Sequence, residues 1–373
     1  MVLKNLKIVL ENTVIDNGYL VLSNGKIQEI GNGDYQGDAI DCSELIAMPG
    51  FIDIHIHGSA GIDFMDAEEK DYPIIANSLY KEGVTTFLAT TLTSDKDSLA
   101  KVCKTVASVK EKVPSLGGIH FEGPYINEKH KGAQNAAFIR DPNIQEFDEL
   151  QSLAKGNIRY ISLAPERNGS LEFIKHVTEN GVVVSAGHTD ATFDEVKEAI
   201  KYGLTNTTHT HNAMSGHHHR NPGVVTAAFY FDELYTECIC DTIHVCPNTL
   251  KTFYKIVGPE RFVVITDALK IKNSDIQEFK LFGLDCVRKN GAAYLTSGPL
   301  AGSLLTMDQA AKNMRDICGA KLVDIAKICS RNVAKSQHFD DRGVIEEGKL
   351  ADLVLLDKDL NVKQVYKLGE RVY

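Results

Sequence analysis

Short apolar, β-branched runs recur along the middle of the chain. They alternate with stretches whose apolar residues are spaced three and four apart. The runs fall at 51–57, 84–90, 117–122, 159–164, 182–188, 206–209, 237–241 and 262–267. Each has strand character, and the segments between them have helical character. In residues 190–202, Phe193, Val196, Ala199 and Ile200 share one helical face, and Gly203 follows as a stop. Parallel strands need long crossovers, usually helical, so repeated strand–helix units imply a parallel sheet. Eight units in one run predict an α/β fold, a (β/α)8 TIM barrel.

The two ends of the chain carry a different texture. Leu6–Leu10, Gly18–Leu22 and Lys26–Ile30 are short alternating runs, separated by turn signals at Asp16-Asn17-Gly18, Asn24-Gly25 and Gly31-Asn32-Gly33. Gly343–Ile345, Ala351–Leu356 and Val362–Val372 repeat the pattern. Neither end alone holds enough strands for a stable sheet. Both termini are therefore expected to join in one small β-sandwich, residues 1–48 with 342–373, flanking a barrel of residues 49–341. No internal repeat, low-complexity tract or flexible linker interrupts this plan.

Barrels of this kind build their sites at the C-terminal ends of the strands, and the polar residues cluster there. The first run ends in His55 and His57. Side chains two apart on a strand share a face, so both imidazoles converge on one point. Glu122 ends the third run, His188 the fifth, His209 the sixth and Asp267 the eighth. One carboxylate and two imidazoles drawn from separate strands suit a borderline divalent ion such as zinc or ferrous iron. Cys238-x-Cys240 has no second pair, and it reads as packing within a barrel strand.

The segments Pro49–Gly58, His120–Pro124, Leu163–Glu166, Gly187–Ala191, Thr208–Met214, Arg220–Gly223, Thr266–Ala268, Leu300–Ser303 with Leu305–Met307, and Gly348–Asp352 span the chain. Through them it resembles the amidohydrolase superfamily and, within it, the N-acetylglucosamine-6-phosphate deacetylases. The resemblance implies a barrel flanked by a β-sandwich. It also implies metal-dependent removal of the N-acetyl group from N-acetylglucosamine 6-phosphate, giving glucosamine 6-phosphate and acetate. Glu122, His188 and His209 are then ligands of a catalytic metal. His55 and His57, with Glu122 bridging, are ligands of a second ion, so one or two zinc or iron ions per subunit are expected. Asp267 is implied as the acid/base. A metal lowers the pKa of its bound water, and a carboxylate beside it takes that proton and delivers it to the leaving amine.

The same resemblance assigns substrate contacts. Asn212 and Ala213 would hold sugar and phosphate oxygens. Arg220 would clamp the phosphate with its planar fork, in its own or a neighbouring subunit's site. His244 would make a second polar contact, and a small-residue loop, Ala301-Gly302-Ser303, would let backbone approach the sugar. Ala133 and Gln134 are further contacts, and Gln134 stands where some relatives have His. Its amide donates a hydrogen bond but carries no proton charge. Thr242 stands where Gly is usual, ahead of His244. A homodimer or homotetramer is implied. The alternative substrate is N-acetylgalactosamine 6-phosphate, and the wider alternative is another amidohydrolase reaction on an N-acyl or cyclic amide.

Composition narrows the classes. Of 373 residues, 43% are hydrophobic and 24% charged, ordinary for a globular protein with a sizeable core. A net charge of −10 argues against nucleic acid or anionic membrane as partner, but not against a small amino-sugar phosphate. No apolar run reaches membrane-spanning length. Met1–Lys7 is broken by charge, unlike a secretion signal. Eight scattered cysteines lack a disulfide framework and read as reduced, cytoplasmic thiols.

Overall fold

The structure is a computed structural model that describes residues 1–281 and 283–373. Eight parallel strands form its centre: Phe51–Ile56, Val84–Thr91, Leu116–Glu122, Ile158–Leu163, Val183–Ala186, Leu204–Thr207, Tyr235–Ile239 and Phe262–Ile265. They pair in sequence order, and each overlaps a predicted run with its ends shifted by at most two residues. Alternation along the first strand puts Ile52, Ile54 and Ile56 on one face, within the main apolar core, and Asp53 and His55 on the other. The crossover helix expected over 190–202 runs Phe193–Lys201. It starts late because Thr192 caps it, accepting the N–H of Glu195 while the Glu195 carboxylate accepts that of Thr192.

Strands Phe51–Ile56 and Phe262–Ile265 stand at the two ends of the ladder. Between them the barrel closes by a short seam. The Asp267 N–H donates to the His55 carbonyl at 2.8 Å, and the His57 N–H donates to the Ala268 carbonyl at 2.9 Å. Below these, the buried Asp53 carboxylate accepts the Thr266 hydroxyl at 2.6 Å.

A second eight-stranded sheet is assembled from both ends of the chain, and it forms the expected small sandwich. The ends meet where Ile46–Pro49 pairs antiparallel with Leu353–Leu356, one strand away from Val2–Val9. Leu3, Leu6, Leu20, Ile27, Leu353 and Tyr366 fill its separate core. Two details differ from expectation. Asp16-Asn17-Gly18 lies inside the strand Val14–Ser23, and the first hairpin turns instead at Leu10–Thr13. Gly343–Ile345 forms no strand.

A four-stranded antiparallel sheet, Glu278–Leu281, Leu284–Lys289, Ala292–Leu295 and Leu300–Ser303, follows the last barrel strand. It is absent from the sequence reading. Its strands are short and mostly polar outward, but Asn290-Gly291, with φ of 50° and 82°, is the hairpin signal that marks it. The sheet corrects the reading of Ala301-Gly302-Ser303, which is the end strand of this sheet and not a loop. Cys238 and Cys240 are buried at the end of the seventh barrel strand, as packing residues should be.

Candidate active site

Strand ends position the polar cluster. Glu122 is the last residue of its strand, and His57, His188, His209 and Asp267 lie just beyond theirs. His188, His209 and Asp267 take φ of 48°, 31° and 48°. Left-handed backbone is strained for such residues and is tolerated where the surroundings over-determine it. Here each strand must stop and turn its side chain inward over the barrel mouth.

Glu122 is the hub. Its Oε1 lies 3.2 Å from His55 Nε2, 3.0 Å from His188 Nε2 and 3.1 Å from His209 Nε2. Its Oε2 lies 3.4 Å from His57 Nε2. Asp267 Oδ1 lies 3.2 Å from His57 Nε2 and 3.5 Å from His55 Nε2. Three triplets, His55/His57/Glu122, Glu122/His188/His209 and His55/His209/Asp267, each gather one donor atom per residue within 4.8 Å. Glu122 belongs to two of them, which places it to bridge two ions.

The donors fit a metal on their own chemistry. The His188 Nδ1–H donates to the His130 carbonyl at 2.8 Å, so in the neutral ring Nε2 carries a lone pair. That lone pair faces a carboxylate oxygen and the Nε2 of His209, 3.1 Å away. His55 Nε2 is buried without a hydrogen-bond partner. Lone pairs and carboxylates converging on one space call for a cation. In the metal-free protein protons take that role. Burial disfavours the His55 and His57 imidazolium forms, but Glu122 and Asp267 outweigh it, and His57 is pushed up to about 9. In turn His55, His188 and His209 hold Glu122, and His55 and His57 hold Asp267, below the usual carboxylate range against their own burial.

A cavity of about 320 Å³ opens above this cluster. His57, Glu122, His188, His209 and Asp267 line it, together with Ala133, Gln134, Asn212, Ala213, His244, Ala301 and Gly302. Gln134 is partly engaged within the protein: its amide donates to Glu122 Oε2, and its carbonyl accepts the Thr93 N–H at 2.7 Å. His244 is held by Asp241, whose Oδ2 bonds Nδ1 at 2.6 Å. Burial lowers its pKa, but that hydrogen bond prevails and the net shift is upward. Thr242 reaches this turn only at φ 69°, an unfavourable value for a β-branched residue.

Two assigned contacts lie elsewhere in this chain. Ser303 is buried, and its hydroxyl donates to the Thr266 carbonyl, which makes it a seam residue. Arg220 is exposed beside a separate surface hollow that it shares with Asp190, Thr192 and Asn221. The sequence reading also missed residues. Lys129 and His130 line the cavity, and both pair with Asp190, at 2.7 and 2.9 Å. The basic run Lys129-His130-Lys131, which begins five residues after Pro124, was their signal. Deeper in, His120 joins Thr90 and Ser162, and Glu237 contacts His55. Nothing in the spacing of the sequence marks Glu237, because it sits inside an apolar run.

Residues 46–372 match the model of the amidohydrolase family, and the chain belongs to that family. It is 35% identical to the N-acetylglucosamine-6-phosphate deacetylase of Lysinibacillus sphaericus over 374 residues, covering 99% of this chain and 97% of the relative. It is 31% identical to the N-acetylgalactosamine-6-phosphate deacetylase of Escherichia coli O157:H7, covering 99% and 98%. Among solved structures it superposes on a Mycobacterium smegmatis N-acetyl-D-glucosamine-6-phosphate deacetylase mutant in complex with N-acetyl-D-glucosamine-6-phosphate. That match has a TM-score of 0.95 at 30% identity, covering 100% of this chain and 99% of that one. Among the described residues, no helix is long and apolar enough to cross a membrane.

Proposed function

We infer that this protein is a metal-dependent amide hydrolase that removes the N-acetyl group from N-acetylglucosamine 6-phosphate, releasing glucosamine 6-phosphate and acetate. The observation that carries this reading is the convergence of Glu122, four histidines and Asp267 beneath one small cavity. Resemblance along the whole chain to sugar-phosphate deacetylases supports the substrate class. Glu122, His188 and His209 would hold the first divalent ion, zinc or iron, and His55, His57 and Glu122 the second. When bound, such ions lower the pKa of water and polarise a carbonyl.

The protein's own groups do the rest. Asp267 Oδ1, beside His57 at the cavity, accepts the proton of the attacking water and then delivers it to the sugar nitrogen as the C–N bond breaks. His244, oriented by Asp241, and Asn212 offer hydrogen bonds to the substrate, and Gly302 leaves room for close approach of the sugar. Lys129 supplies positive charge, and His130 a hydrogen-bonding ring, at the cavity of the same chain. Arg220 lies outside it, so we assign Arg220 to the phosphate in a neighbouring subunit's cavity, in a homodimer or homotetramer. We also assign residues 1–48 with 342–373, and 49–341, as the two domains. The cytoplasm is the expected compartment, a reading supported by eight unpaired thiols.

The test is acetate release from N-acetylglucosamine 6-phosphate by metal-replete protein. Asp267→Asn and the unphosphorylated sugar run in parallel. Release that requires both Asp267 and the phosphate is expected. The galactosamine relative makes N-acetylgalactosamine 6-phosphate the second substrate to assay, and a higher kcat/KM on it would reassign the sugar. No release from either leaves the reading wrong.

A further inference from the structure

One ionisable group in the barrel mouth has no part in the chemistry above. Glu237, on the strand Tyr235–Ile239, is fully buried. Its Oε2 lies 3.4 Å from His55 Nδ1 and accepts the His209 backbone N–H at 3.2 Å. Its Oε1 accepts the Tyr160 hydroxyl at 2.5 Å. Two of these three partners are thus residues of the metal-ligand set, and the third is a buried tyrosine that braces the carboxylate.

The consequence for His55 is specific. A carboxylate on Nδ1 keeps the proton there and leaves Nε2 as the ligating nitrogen, while making the ring a better donor. His55 Nε2 is the atom that is buried, unpartnered and 3.2 Å from Glu122 Oε1. Among the described residues, the imidazole of His188 is instead held by a neutral backbone carbonyl, that of His130. The two ion positions therefore differ in what stands behind their histidines.

Charge points the same way. Glu122, Asp267 and Glu237 put three carboxylates at the barrel mouth, and their ion-pair partners among the described residues are all histidines. A divalent ion among these groups supplies the positive charge that protons on the histidines otherwise bring.

We propose that Glu237 is a positioning residue that acts through His55, with Tyr160 as its brace, to make this a two-ion site. The proposal rests on reading the cluster as a metal centre, and it names what selects the second ion. The test follows metal binding directly. Metal-free wild type, Glu237→Gln and Tyr160→Phe are titrated with Co2+. The visible absorption of the bound ion gives the two dissociation constants, and elemental analysis after dialysis gives the stoichiometry. Wild type should hold two ions per chain. Glu237→Gln, which keeps shape but loses charge, should weaken the second ion about 10- to 100-fold and leave the first within about 2-fold. Tyr160→Phe should weaken the second ion less than Glu237→Gln does. Equal weakening of both ions in Glu237→Gln, no weakening of either, or one ion in wild type overturns the proposal. If Glu237→Gln does not fold, Tyr160→Phe decides by the same split. A protein that shows the split yet releases no acetate would overturn the substrate reading and leave this one standing.

Discussion

Two buried ionic clusters lie close together in this barrel and are built on opposite plans. At one, Lys272 Nζ meets Glu82 at 2.9 Å, with side chains 1% and 3% exposed, and Asn273 donates to the second carboxylate oxygen at 2.6 Å. Charge and hydrogen bonds are complete there without help. At the other, the ion-pair partners of Glu122, Asp267 and Glu237 among the described residues are all histidines, three of whose ring nitrogens have no hydrogen-bond partner. Burial alone does not mark a site, since both clusters are buried. The informative property is unbalanced charge: a self-neutralised pair is architecture, and a cluster short of cations is built for something that arrives.

The largest effect should come from Asp267→Asn, which removes the proton carrier. We expect kcat to fall about 10²- to 10⁴-fold with metal content unchanged, and loss of metal instead would make Asp267 chiefly a ligand. Close behind, replacing His55 and His57 together by Ala should cost far more activity than Gln134→Ala, since the Gln134 amide donates a hydrogen bond to Glu122 but is no metal donor. Comparable small losses would remove the second ion from the reaction. In the balanced cluster, Lys272→Met should destabilise the fold by about 3–5 kcal/mol by stranding the Glu82 carboxylate, read by denaturant unfolding of metal-loaded protein. Metal stoichiometry should stay unchanged.

A pH series sharpens the contrast. In the metal-free protein His57 titrates at about 9, above its ordinary 6.5. A raised value stabilises the folded state fully below pH 6.5, and that contribution disappears as pH rises through 9. Asp267 and Glu122, held low, act in the other direction, and their contribution is lost on acidification. Chelated protein should therefore lose Tm between pH 6.5 and 9, whereas metal-loaded protein, its rings already neutral, should hold its Tm over that span. Parallel thermal melts decide it, and a flat curve after chelation would contradict the assignment. The smallest effect is local. Thr242→Gly should relieve the φ 69° strain and raise stability by about 1 kcal/mol, with His244 still in place and KM unchanged.

Much of the barrel was legible because parallel strands buried on both faces leave unbroken apolar runs. Such runs also expose whatever polar residue ends them, so His55, His57, Glu122, His188, His209 and Asp267 stood out. The antiparallel sheet over 278–303 was hidden by the reverse condition: its strands are short and half solvated, and only Asn290-Gly291 betrays them. Glu237 and Asp53 escaped for another reason. Each is an acidic residue within an apolar strand, and its purpose depends on which strands stand opposite, which is a property of closure and not of local pattern. Arg220 shows the limit in the other direction, since its motif was readable but its side chain lies outside the cavity above Glu122 and beside a separate surface hollow.

The seam has a consequence for how the molecule comes into being. Asp53 and Thr266, which face each other across it, are 213 residues apart in the chain. The groups flanking that junction are His55 and His57 on one side and Asp267 on the other. Closing a loop of that length costs on the order of 5 kcal/mol in chain entropy. During synthesis the first side of the seam emerges long before the second. The assigned metal ligands, His55 to His209, all precede the last barrel strand, whereas the proton carrier Asp267 arrives with it, so the site is complete for reaction only once the barrel has closed.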